Sequence, residues 1–323
     1  MRFMIIRGGG EAHVFAMAMR TKFRGILVRE GVLVQGPAGW AEFSPFWDYD
    51  PAACVPWLRA AREAAYDVWP TPVRERVPVN CTIPAVGPDQ ARAIVAGSAG
   101  CRTAKVKVAE PGQSEADDLA RVEAVRDALG PDGRIRVDAN GFWDVDTAVR
   151  MIGLLDKKAA GLEYAEQPCA TVEDLARVRR QVDVPIAADE SIRRAADPYR
   201  VARLGAADIA VLKVQPLGGV RAALRIAEQI GLPVVVSSAL ETSIGIAAGV
   251  ALAAALPELP YACGLATVQM LTADVVAEPL LPVEGTLPVV RPAPHPDRLA
   301  AVAADEATRA RWSERLAAVE GLA

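Results

Sequence analysis

The 323-residue chain has only two histidines, His13 and His295, and five cysteines, at positions 54, 81, 101, 169 and 263. No Cys-x-x-Cys pair occurs, the cysteine count is odd and the spacings are wide. Neither a zinc site nor a disulfide framework is expected; reduced, buried thiols in a cytoplasmic protein are. The opening MRFMIIRGGGEAHVFAM makes no signal peptide, because its short apolar run is broken by Arg7 and three glycines. Ile244 to Leu256, the most apolar later stretch, is about half a bilayer span and reads as a buried helix. There is no basic block: 36 basic against 40 acidic residues leave a net charge of −4. These absences exclude a nucleic-acid partner and a membrane partner.

Apolar residues make up 52% of the chain, enough for a large core. Residues 23–47 alternate around Gly36-Pro37-Ala38-Gly39 and read as a hairpin. Residues 51–66 read as a helix, and Pro70, Pro72 and Pro78 mark a boundary. Strand-like runs then recur at 79–85, 103–108, 134–140, 162–168, 184–191, 208–216, 232–240 and 262–267. Helical segments such as 114–129 and 220–230 separate them, the first opening with Ser114 and Asp117 at capping-box spacing. Eight strands and seven helices predict an α/β fold, a (β/α)7β TIM-like barrel over 79–267. An open doubly wound sheet is the alternative, but no dinucleotide-binding fingerprint follows the first strand. Residues 1–78 and the Pro-rich, then helical, 268–323 are expected to build an α+β capping domain from both termini. Monomer and homo-oligomer are both left open.

Charge sits at the ends of apolar strands. Asp138 ends RIRVD, Glu166 ends LEYAE and Asp189 ends PIAAD. Each is about one strand–helix repeat from the next, which places all three carboxylates at the C-terminal mouth of a barrel, where such enzymes work. Each acid alone could merely cap a helix or pair with an arginine. Three together repel unless a cation joins them, and all-oxygen ligation favours magnesium. Lys105 and Lys107 are two residues apart on one strand and face the same way. Their mutual repulsion favours release of a proton from one of them. Lys213, with apolar neighbours, approaches from the next strand after that of Asp189. A cation between lysines suits removal of a proton α to a carboxylate.

Lys105-x-Lys107, Asp138-Ala-Asn140-Gly141, Glu166-Gln167-Pro168, Asp189-Glu190-Ser191 and Lys213, in this order, resemble the enolase superfamily and its muconate-lactonizing subgroup. The resemblance spans nearly the whole chain. It implies Asp138, Glu166 and Asp189 as ligands of Mg2+, with Mn2+ as a substitute. It implies Lys107 as the base, Lys105 as the electrostatic support of Lys107, and Lys213 as the lysine across the site. Asn140 and Glu190 become candidates for holding these groups in place, or for ordinary turn and cap roles. Neither histidine can serve as the late-strand base of the mandelate racemase type. The last strand, Cys263-Gly264-Leu265-Ala266-Thr267, lacks the Asp-x-Asp of dipeptide epimerases. The implied substrate is a small carboxylate, and the implied reaction is syn-dehydration of a cyclohexadiene carboxylate in menaquinone biosynthesis. Racemization of an N-acylamino acid and muconate cycloisomerization are alternatives on the same scaffold, and a metal-binding barrel without catalysis is a third class. Arg136, Ser237, Ser238 and Gly264 are the expected substrate contacts. Phe15, Phe23, Arg24, Phe46 and Trp47 are candidates for covering the substrate ring, or for core packing.

Overall fold

In the computed structural model, which describes residues 12–323, β1 (Ala12–Phe23), β2 (Ile26–Gly36) and β3 (Gly39–Phe43) form an antiparallel sheet in sequence order. The N-terminal segment read as no leader lies largely outside the described residues. The expected hairpin is the β2–β3 pair, closing between Gly36 and Gly39. Sequence reading missed β1. It joins β2 through Arg24 and Gly25, both at positive φ (49° and 77°), as a two-residue hairpin turn requires. Helix α1 (Pro51–Tyr66) starts where the Asp50 side chain accepts the Ala53 N–H, and buries Trp57 and Leu58 against the sheet.

A short strand β4 (Arg76–Pro78) leads into seven parallel strands that lie side by side in chain order. They are β5 (Cys81–Ile83), β6 (Thr103–Lys107), β7 (Arg134–Asp138), β8 (Leu162–Glu166), β9 (Ile186–Ala188), β10 (Ile209–Lys213) and β11 (Val234–Ser237). The connecting helices are α2 (Pro88–Ala96), α3 (Glu115–Leu129), α4 (Val145–Ala159), α5 (Val172–Arg179), the short α6 (Glu190–Arg193), α7 (Arg200–Arg203) and α8 (Val214–Leu217), then α9 (Val220–Ile230) and α10 (Ser243–Ala255). Ser114 and Asp117 form the capping box of α3 by exchanging side-chain and backbone bonds. The apolar stretch after Ile244 is α10, buried over nearly its whole length. Among the described residues no helix is long and apolar enough to cross a membrane.

The eighth strand is reduced to parallel bridges at Cys263 and Gly264, which join Val79 on one side and Ser237 on the other. Gly264 N–H donates to Val236 (2.8 Å) and Asn80 N–H to Cys263 (2.9 Å), so the ring closes. The strand expected over 262–267 gives way to a 3-10 turn at Thr267–Met270. Beyond it, β12 (Thr286–Pro288) pairs with β4, α11 (Pro296–Ala301) follows, and α12 (Glu306–Glu320) packs Trp312, Leu316 and Val319 into the core of the β1–β3 sheet and α1.

Buried polar contacts key this capping layer into the barrel. Arg29 donates to the carbonyls of Ala239 (3.1 Å) and Leu240 (3.0 Å), just past β11. Ser44 N–H donates to Gln215 (3.2 Å), two residues past Lys213. Glu42 accepts from Thr242 Oγ1 (2.6 Å) and its N–H (3.0 Å). Helix α9 has no capping side chain of its own; Glu63 of α1 accepts the N–H groups of Val220 and Arg221 instead. The approach needs Gly219, at φ 118°, where a Cβ would lie 2.1 Å from the Glu63 carboxylate. Gly219→Ala is expected to cost about 2 kcal/mol, read as a lower urea midpoint at unchanged m-value.

Burial raises the Glu42 carboxyl to about 7, helped by Glu241 and opposed by Arg29 and by bonds from Ser44 and Thr242. A carboxyl raised on folding binds its proton more tightly in the folded state. Its contribution is therefore full at low pH and is lost as pH rises through about 7. The stability of the wild type relative to Glu42→Gln is expected to fall by about 3 kcal/mol between about pH 4 and about pH 8. A difference that stays flat across that range contradicts the assignment.

Candidate active site

Strands β6, β7, β8 and β10 each end on a charged residue: Lys107, Asp138, Glu166 and Lys213. Asp189 follows directly on β9. With Lys105, all six groups are buried. Parallel registry sets Lys107 beside Asp138 and Asp138 beside Glu166. Lys105 Nζ bridges Asp138 Oδ2 (3.0 Å) and Glu166 Oε1 (2.8 Å). Lys107 Nζ lies 2.6 Å from Asp138 Oδ2 and 2.6 Å from Asn140 Oδ1. Lys213 Nζ holds Asp189 Oδ2 at 2.6 Å, and Arg193 Nε holds the other oxygen at 2.8 Å. The structure thus brings the three acids and three lysines together at one mouth.

The electrostatics follow from burial set against these partners. Burial raises Asp138, but Lys105 and Lys107 override it and hold the carboxyl well below its ordinary value. Asp189 is likewise lowered, burial being outweighed by Arg193 and Lys213. Burial and the neighbouring Asp138 push Glu166 up to about 7 despite Lys105. Burial lowers Lys213, with Asp189 opposing. Lys105 is raised well above its usual value, since Asp138 and Glu166 outweigh burial. The expected repulsion between the two lysines of β6 is therefore not what governs Lys105; the carboxylates around it are.

The donor set suits a hard divalent cation: three buried carboxylates and no sulfur or imidazole. Glu166 Oε2 is buried with no hydrogen-bond partner, an oxygen left to be satisfied. As the side chains are placed, no three acid, histidine or cysteine groups among the described residues are gathered to share an ion. Ammonium groups take one oxygen of each carboxylate instead.

Backbone geometry supports the acids. Asn140 and Gln167, each close behind an acid, have φ of 47° and 40°, a conformation disfavoured by side chains and held here by local bonds. Asn140 N–H donates to Asp138 Oδ1 (3.0 Å). Gln167 Oε1 accepts the N–H groups of Asp189 (3.0 Å) and Ser191 (3.2 Å), tying β8 to the loop that carries Asp189. Asn140 Nδ2 reaches Glu190 Oε1 at 3.2 Å. Sequence reading quoted Gln167 without a role and passed over Arg193; the adjacency of both to the acids was the available sign.

A narrow cavity of about 30 Å³ opens on Lys105, Lys107, Lys213, Asn140 and Arg193. Ser237, Ser238 and Gly264 line it, together with Thr82, Leu240 and Thr267. Ser238 Oγ is engaged by the Gly264 carbonyl (2.8 Å), and a Cβ on Gly264 would lie 2.6 Å from Ser237 Oγ, so this wall is also tightly packed. Phe23, Arg24 and Phe46 of the capping layer close the cavity, and the Phe23 ring lies 5.2 Å from Lys107 Nζ. Phe15 lies in the capping core instead, and Trp47 is half-exposed beside a neighbouring hollow. Arg136 is corrected more sharply. It lies deeper in the barrel, bonded to Glu163 (2.5 Å), Asn80 (3.2 Å) and the Ala262 carbonyl (2.7 Å) and stacked on Tyr164, away from the cavity.

The barrel, the capping layer and this site define the class: the chain belongs to the enolase superfamily, its residues 88–295 matching the enolase C-terminal domain-like family and 14–65 the enolase N-terminal domain-like family. Its fold is similar to that of muconate lactonizing enzyme from Pseudomonas fluorescens, at TM-score 0.79 and 23% identity over 92% of this chain and 98% of that one. The L-Ala-D/L-Glu epimerase from Bacillus subtilis shares it at TM-score 0.75 and 23% identity, over 91% and 98%. Within the superfamily the chain falls among the o-succinylbenzoate synthases. It is 69% identical to that of Thermobifida fusca over 94% of both chains, and 56% identical to that of Mycolicibacterium smegmatis over 96% of this chain and 95% of the relative.

In metal-free protein, Asp138→Asn leaves Lys105 and Lys107 without their shared counter-charge. A loss of about 3–5 kcal/mol is expected in urea unfolding, partly restored by adding Lys105→Met. Equal stability of wild type and Asp138→Asn would show that these ion pairs do not hold the mouth together.

Proposed function

We propose that this chain is a magnesium-dependent lyase of menaquinone biosynthesis. It converts 2-succinyl-6-hydroxy-2,4-cyclohexadiene-1-carboxylate to o-succinylbenzoate by syn-dehydration. The observation that carries the reading is the placement of Lys107 and Lys213 on different strands, each within 2.6 Å of a different buried carboxylate of the same mouth. Near-full-length similarity to o-succinylbenzoate synthases selects the reaction.

Asp138, Glu166 and Asp189 are the residues to hold Mg2+, or Mn2+ in its place. When bound, the ion supplies positive charge to the substrate carboxylate as it becomes an enediolate. The remaining work belongs to the side chains. Lys107 removes the α-proton and returns it to the departing hydroxyl; both groups leave from one face, so one amine serves twice. Lys213, buried against Asp189, acts as a fixed cation on the developing negative charge. Lys105 anchors Asp138 and Glu166 and takes no proton from the substrate. Asn140 orients the Lys107 amine. Ser237, Ser238 and Gly264 form the wall that meets the rest of the substrate, under Phe23, Arg24 and Phe46. Five buried, unpaired cysteines fit a reducing cytoplasm.

The test is direct assay with the cyclohexadiene substrate and Mg2+, following the aromatic product by absorbance. Chelation is expected to abolish turnover and Mg2+ or Mn2+ to restore it. Lys107→Ala is expected to lower kcat by at least about 1,000-fold. Substantial dehydration by that variant moves the base elsewhere. Racemization of an N-succinyl amino acid without dehydration overturns the substrate.

A further inference from the structure

Arg193 closes helix α6, and its side chain is 2% exposed. The proton transfers make no use of it. Its edge reaches the cavity wall, yet each of its three nitrogens already has a protein partner. Nε donates to Asp189 Oδ1 (2.8 Å), Nη2 to Glu190 Oε1 (2.5 Å) and Nη1 to the phenolic oxygen of Tyr49. Tyr49 comes from the capping layer, between β3 and α1. It is itself pinned there. Its ring meets Trp57 edge-on with centroids 5.5 Å apart, the Arg194 guanidinium lies 4.5 Å over it, and its carbonyl accepts from Arg315 of α12 (2.8 Å).

From Arg193 the contacts run unbroken in both directions. Glu190 Oε1 also accepts from Asn140 Nδ2 (3.2 Å), and Asn140 Oδ1 accepts from Lys107 (2.6 Å). On the other side, Asp189 Oδ2 accepts from Lys213 (2.6 Å). Arg193 therefore stands midway along a line of side chains joining the two lysines. A carboxylate held at one oxygen by Lys213 and at the other by Arg193 is fixed in the rotation of its plane. The planar, forked guanidinium meets Asp189, Glu190 and Tyr49 with a separate nitrogen each.

We propose that Arg193, docked by Tyr49 of the capping layer, is a positioning residue that orients Asp189 toward a divalent cation and, through Glu190 and Asn140, orients Lys107 toward the substrate. The inference rests on Asp189 being a ligand, and it makes seating of the capping layer felt at the acid and the base together.

The experiment uses full-length Tyr49→Phe, Arg193→Lys and Arg193→Met proteins. Mn2+ binding to the metal-stripped protein is read from the electron paramagnetic resonance of free Mn2+, beside kcat, KM and thermal midpoint. Arg193→Met is expected to weaken Mn2+ binding and lower kcat by about 100-fold, and Arg193→Lys by about 10-fold, a partial rescue. Tyr49→Phe is expected to shift both in the same direction by a few-fold, with KM little changed. A lower thermal midpoint with wild-type Mn2+ affinity and kcat in Tyr49→Phe and Arg193→Lys overturns the proposal, and these two decide it if Arg193→Met does not fold. A raised KM at unchanged kcat overturns it too, making Arg193 a substrate contact. Failure of the wild type itself to bind Mn2+ removes the ligand reading beneath it, an outcome visible before any variant is compared.

Discussion

Three carboxylates and three ammonium groups, all buried at one end of a barrel, are the constraint on which the rest of the structure depends. Any one of these charges alone would be costly to take out of water. Together with Arg193 and Glu190 they balance one another, and each carboxylate is held by at least one cation. The strands β6, β7, β8 and β10 stop at the charged residue, so regular pairing ends where the charges begin. The strained backbone at Asn140 and Gln167 persists because side chains from neighbouring strands over-determine it.

The acids were legible because the barrel repeats. A charged residue at the end of each apolar run, one strand–helix unit apart, fixes both the mouth and the face. Alternation fixes the face alone. Arg136 shares a face with Asp138, and that reading set it beside the substrate, but two residues back along the strand is one layer deeper. Lys105 shows the same effect: deeper than Lys107, it meets two carboxylates rather than a carboxylate and an amide. The eighth strand was over-read because a closing strand of a ring needs only a few backbone bonds, here at Cys263 and Gly264.

What the sequence could not disclose are partners brought together only by folding. Tyr49 and Arg193 are 144 residues apart, and Arg29 reaches Leu240 across 211. No periodicity relates them, because they belong to different layers with different repeats. The contacts cluster where the capping layer meets the ends of β9, β10 and β11. The wall of the cavity is therefore shaped by two pieces of chain that meet only in the finished fold.

That division explains how one barrel can serve several reactions. The buried charges of the mouth belong to the strands, where registry with neighbours allows little change. The residues that close the cavity, Phe23 and Arg24 at a hairpin tip and Phe46 in a loop, belong to a separate layer.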